Sequence, residues 1–141
     1  MITNSFAKIL TKNDIGKTGA HQAGMHIPKK NEELINFLPY LDPSIKNPDI
    51  WLDCYDQFGQ SWQFRYVFYN NKLHDLNGTR NEYRVTHMTR FFLQTAANED
   101  EEFIITKETD DSRYLIYINK IDFGLNSQQS SKKIKLTGWR K

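Results

Sequence analysis

The sequence holds a single cysteine, Cys54, among 141 residues. That excludes an internal disulfide and any multi-cysteine zinc site, and makes a reducing cytoplasm the expected compartment. Long hydrophobic runs are missing too: no window approaches the ~18 apolar residues of a membrane span, so no membrane partner is expected. The opening MITNSFAKILTKND lacks the apolar stretch and small-residue cleavage site of a secretory leader. Repeats and low-complexity tracts are absent. Aromatic residues, in contrast, are plentiful at 13% (nine Phe, seven Tyr, three Trp), too many for a disordered chain. The expectation is one domain spanning residues 1–141, with one core.

Enzyme signatures are equally scarce. No lysine has Asp or Glu two positions before it, which removes the usual metal-dependent nuclease pattern, and no histidine stands two before a lysine. His21, His26, His74 and His87 lack the further donors of a zinc set, so neither metal nor cofactor is expected. Gly16-Lys17-Thr18 resembles the end of a phosphate-cradling loop, but the required earlier glycine is Thr11. Gly16–Gly19 also fits the Gly-x-x-Gly clamp of single-strand-binding domains, which keeps a single-stranded nucleic-acid or RNA-binding module open as an alternative. An enzyme using His21, His26 or Cys54 is the weaker reading, because no base–nucleophile pairing can be traced.

Net charge is only +2, but it is unevenly spread. Residues 1–30 carry five lysines against Asp14 (+4), residues 77–90 carry Arg80, Arg84 and Arg90 against Glu82 (+2), and residues 123–141 carry +5 unopposed. The rest sums to −9. Gathered on one face, these stretches would attract a polyanion, nucleic acid first; on separate sides they would be solvated loops.

Strand alternation is plain in Trp62, Phe64, Tyr66 and Phe68 against Gln63, Arg65, Val67 and Tyr69, and in Ile50–Cys54 before them. Residues 56–60 carry the glycine of a hairpin loop. A second hairpin is expected from Phe103–Thr106 and Tyr114–Ile118, with further strands at Ser5–Leu10, Asn81–Val85 and Ile134–Thr137. Short helices are expected at Asn31–Leu38, with Asn31 as cap and Pro39 as stop, and at Thr89–Thr95. The class is mostly β and barrel-like, with two short helices. Asn126–Ser131 is linker-like, and residues 126–141 read either as a tail or as part of the sheet.

Two segments concentrate directional chemistry. Lys12–Gly24 has three glycines and the donors Lys12, Asn13, Lys17, Thr18, His21 and Gln22, a composition suited to a binding loop rather than core. In Asn77–Thr86, an extended Arg80–Val85 puts Arg80, Glu82 and Arg84 on one face and Asn81, Tyr83 and Val85 on the other. Such a row is either a self-neutralising ladder or a reader of G·C pairs, with Arg bidentate to guanine and Glu accepting from cytosine N4.

Leu10–Pro28 (LTKNDIGKTGAHQAGMHIP) and Thr79–Thr86 (TRNEYRVT) together resemble the N-terminal effector domain of EcoRII-type restriction endonucleases, over about the first 90 residues. The resemblance implies a DNA-binding pseudobarrel of about seven strands with two flanking helices, the fold shared with plant auxin-response-type domains. Two arms, near Lys12–Gly24 and Gly78–Arg90, would grip double-stranded DNA from its major groove. It implies base readout by Arg80, Glu82, Arg84 and His21, supported by Lys12, Asn13, Asp14, Lys17, Thr18, Gln22, Thr79, Asn81, Thr86 and Arg90. The domain itself would not cut DNA. It would serve a bacterial restriction–modification system beside a nuclease domain in the same polypeptide or a partner subunit, at a short G·C-rich site. Two positions depart from the family's pattern: Gly78 stands where a basic residue is expected, and Tyr83 where a lysine is usual.

Overall fold

The computed structural model describes residues 3–16, 23–120 and 138–141. The strands are β1 (Thr3–Ile9), β2 (Met25–Ile27), β3 (Asp49–Asp56), β4 (Ser61–Tyr69), β5 (Glu82–Thr86), β6 (Glu102–Glu108), β7 (Tyr114–Asn119) and β8 (Trp139–Arg140). Three short helices interrupt them: α1 (Glu32–Phe37), α2 (Asn71–His74) and α3 (Thr89–Gln94). All eight strands form one sheet in the order β2-β5-β4-β3-β7-β6-β1-β8. Pairing is antiparallel except between β3 and β7, where Cys54 faces Tyr114. No helix among the described residues is long and apolar enough to cross a membrane.

The expected alternation decides the inner face. Phe64, Tyr66 and Phe68 are buried, as are Leu52, opposite Phe64, and Cys54, opposite Trp62. Burying rings of this size dominates the energy of so small a core. Tyr83 stacks on Phe68 at 4.1 Å with 5° between the planes. From α3, Phe91 packs edge-on against Trp62, Phe64 and Phe103. On the other flank, Phe37 of α1 meets Phe6 and Tyr114, and the Tyr114 hydroxyl donates to the Phe37 carbonyl at 2.8 Å. Asn31 caps α1, accepting from Leu34 N at 3.1 Å.

The sheet curls until its ends meet. β8 lies at one end of the strand order and β2 at the other, yet Trp139 Nε1 donates to the His26 carbonyl at 3.0 Å. The fold is therefore a pseudobarrel, with one strand and one helix more than expected. Ile134–Thr137 and the linker-like Asn126–Ser131 lie outside the described residues.

Candidate nucleic-acid interface

Register puts Glu82 and Arg84 on the outer face of β5, which starts at Glu82; Arg80 stands two residues before it and lines the same groove. Val85 and Tyr83 pair with Tyr66 and Phe68 on the core side. The residues between them therefore point outward: Arg84 opposite Val67 and His26, Glu82 opposite Tyr69, and Thr86 opposite Arg65. This face opens into a groove of about 680 Å³. Arg80, Glu82, Arg84 and Thr86 line it from the segment expected as the second arm. Asn13 reaches it from the first, and Arg65, Tyr69 and His87 complete it. Three arginines face one glutamate there, a balance that favours an anion.

The two arms share a root. Gly24 N donates to the Asp14 carbonyl at 2.9 Å, closing the first arm. Ala23 N then donates to Thr89 Oγ1 at 3.2 Å, and the Ala23 carbonyl accepts from Met88 N at 3.2 Å. Gly24 is necessary in that position, because a Cβ there would stand 2.4 Å from the Val85 carbonyl oxygen. At the start of the second arm, Asn71 Oδ1 accepts from Thr79 N and Arg80 N, at 3.1 and 2.7 Å. Backbone N–H groups, received in part by the side chains of Thr89 and Asn71, hold the bases of both segments.

Within the groove the row is not uniform. Arg80 donates to Glu82 Oε1 through Nε and Nη2, at 3.1 and 2.5 Å, and its guanidinium lies 3.7 Å from the Tyr69 ring centre. Arg65 is held by Asp49 at 2.7 Å and donates to the Tyr69 hydroxyl at 3.3 Å. Among the described residues, Arg84 has no ion pair. Partial burial pushes the Glu82 carboxyl up, but the hydrogen bond and charge of Arg80, with the charges of Arg84 and His26, outweigh it and hold its pKa below the usual value. Glu82 is therefore an ionised acceptor at neutral pH.

Other expected residues stand elsewhere. Asp14 is buried in an ion pair with Lys8, and also accepts from Thr11 N at 3.0 Å. Lys12, Thr79 and Arg90 are exposed but, like Asn81, outside the groove lining. Lys17, Thr18, His21 and Gln22 lie outside the described residues. The basic stretches do not all converge: Arg140 pairs with Glu102 at 2.5 Å, and Lys141 with Glu33 at 2.8 Å. Three lining residues were missed by sequence reasoning. Arg65 and Tyr69 were legible as the polar side of the β4 alternation. His87 carried no such signal; it turns into the groove through a φ of 66°, with its ring 5.0 Å from that of Trp51.

Among solved structures, the chain matches the Arabidopsis FUS3–DNA complex with a TM-score of 0.60 and 21% identity, over 82% of this chain and 96% of that one. At that identity the likeness concerns the fold. No curated protein sequence matches the chain. The family model described as "Restriction endonuclease EcoRII, N-terminal" matches residues 2–105, well over half the chain, and the protein belongs to that family.

Proposed function

We propose that this domain binds double-stranded DNA sequence-specifically and does not itself cut it. It would recognise a short site containing G·C pairs on behalf of a nuclease domain in the same polypeptide or a partner subunit. One observation carries the reading: Asn13 of the first arm and Arg80, Glu82 and Arg84 of the second line the same open groove. A row serving only as a surface ladder has no reason to share a cleft with the glycine-rich arm. In this reading Arg84 donates to guanine O6 and N7, and ionised Glu82 accepts from cytosine N4 while repelling misplaced phosphate. His21, with Lys17, Thr18 and Gln22, would complete the grip from the first arm, and Lys12 and Arg90 would meet phosphates and give salt-dependent affinity. The family match and the DNA complex among the structural neighbours support this assignment.

The test is selection of bound duplexes from a random pool, followed by binding of the selected site and its single-pair substitutions at fixed salt. Arg84→Ala should cost about 1–3 kcal/mol at one base pair, and Glu82→Gln should relax choice at a cytosine. Unchanged preference in both variants would refute the assignment. Competition by single-stranded oligonucleotides addresses the Gly16–Gly19 alternative, and should be weak.

A further inference from the structure

We infer that Tyr69 is a positioning residue for base discrimination, its ring serving as the platform on which Arg80 and Glu82 are presented as one unit. The inference rests on the groove being a DNA interface. Tyr69 ends β4 and pairs in register with Glu82, so both side chains leave the sheet on the same face. The Arg80 guanidinium lies over its ring at 3.7 Å and grips the single oxygen Oε1 of Glu82 with two donors. The ring is fixed from its other end, where Arg65 Nη1 donates to the Tyr69 hydroxyl and Arg65 Nε is held by Asp49. A chain of contacts thus runs Asp49–Arg65–Tyr69–Arg80–Glu82 across three strands.

Two consequences follow from that chain. A solvent-exposed Arg–Glu pair is weak and samples many geometries. An aromatic face beneath the guanidinium removes most of them before any ligand arrives, which lowers the ordering cost of binding. The pairing engages Arg80 Nε and Nη2 and Glu82 Oε1 and does not use Arg80 Nη1 or Glu82 Oε2, so the unit keeps both a donor group and an acceptor for a ligand. In the major groove one G·C pair offers the complement, acceptors on guanine beside the N4 donor of cytosine. The unit therefore fits a single base pair, and Arg84, outside the unit, serves a different one.

The experiment measures the full chain on its selected duplex and on each single-pair substitution, with Tyr69→Leu, Tyr69→Phe, Arg80→Ala, Arg80→Lys, Arg84→Ala and the Tyr69→Leu/Arg80→Ala double variant. Tyr69→Leu should lower preference about tenfold at the pair that Arg80→Ala affects, and leave the Arg84-dependent pair unchanged. Tyr69→Phe, which keeps the ring, should restore most of that preference, and the double variant should be no worse than Arg80→Ala alone. Arg80→Lys keeps the charge but loses the planar stack, and should show the same loss without touching Tyr69. Wild-type discrimination by Tyr69→Leu beside a defective Arg80→Ala overturns the platform and leaves the groove reading standing. So does an equal loss on cognate and scrambled duplexes, which marks mere support of the fold. If Arg80→Ala and Arg84→Ala both discriminate normally, the groove reading fails and the platform with it.

Discussion

Lys8 and Asp14 form an ion pair with both side chains more than nine-tenths shielded from solvent, at the point where β1 gives way to the first arm. The same carboxylate accepts from Thr11 N, and the Thr11 hydroxyl accepts from Asp14 N. Asp14 therefore acts on the arm from within, fixing the turn from which Asn13 reaches the groove. Removing one partner strands a buried charge. Asp14→Ala should destabilise the fold by about 3–5 kcal/mol, read by chemical denaturation. Lys8→Met with Asp14→Leu should recover much of that loss, because the stranded charge, more than the missing bond, is the cost.

Gly78 gives a second expectation. The resemblance calls for a basic side chain there, but a Cβ at this position would stand 2.1 Å from the Asn71 carbonyl oxygen. Backbone cannot yield cheaply at that point, since Asn71 also holds Thr79 and Arg80. Gly78→Lys should not strengthen DNA binding. It should cost about 1–3 kcal/mol of stability through the overpacked contact, and weaken base discrimination by shifting the root of the second arm. Denaturation curves and duplex titrations on the same variant check both halves.

How far the sequence foretold this arrangement can be judged residue by residue. The β3–β4 hairpin was legible because the large rings Trp62, Phe64, Tyr66 and Phe68 recur at every second position of β4, and the outward Glu82 and Arg84 because Tyr83 and Val85 fix the parity of β5. β2 was not, since Met25-His26-Ile27 is too short to show a period and becomes a strand only by pairing with β5. α2 is a single turn, Asn71-Lys72-Leu73-His74, too short to show a helical period, and is ordered by Asn71 and Lys72 bonding to Arg80 rather than by helix propensity. The outward side of Arg65 and Tyr69 was legible in β4, but their meeting with Thr86 and Glu82 in one groove comes from a cross-strand register that no local pattern contains. Val67 shows the opposite failure, lying on the outer face yet fully buried.

Tyr66 has the one buried side-chain polar atom without a hydrogen-bond partner among the described residues, its hydroxyl. Burial, with Tyr83 and Tyr114 nearby, pushes its pKa far up, so the group stays neutral and unsatisfied. Tyr66→Phe removes that atom and keeps the ring between its neighbours. Stability should hold or rise by up to about 1 kcal/mol, whereas removing a satisfied buried hydroxyl would lower it. A thermal melt decides between them.

The Cys54 thiol is buried and faces Leu52 O at 3.7 Å. Burial, with the charge of Asp53 beside it, raises its pKa to about 12. Since the thiolate is the reactive species, a thiol reagent at pH 8 should leave the folded chain unmodified over hours. Reaction should appear at the denaturant concentration where the fold opens.

Asp56 organises the β3–β4 turn, accepting from Phe58 N, Gln60 N and Trp62 Nε1, each at 2.9 Å. Burial pushes its carboxyl up, but these three donors outweigh it and set the pKa below the usual 3.8. A depressed folded value fixes the sign. The ionised carboxylate contributes stability that is fully present above the unfolded value and is lost as pH falls through the folded one. Asp56→Asn should therefore be less stable than wild type by about 1–3 kcal/mol at pH 7, as expected when hydrogen bonds to a charged group lose that charge. The gap should be constant from pH 7 to 5 and should close steadily below about pH 4, where the wild-type carboxylate takes up its proton. Paired denaturation curves from pH 7 to 2.5 measure it; a gap that widens with acid would mean the turn holds the carboxyl in its protonated form.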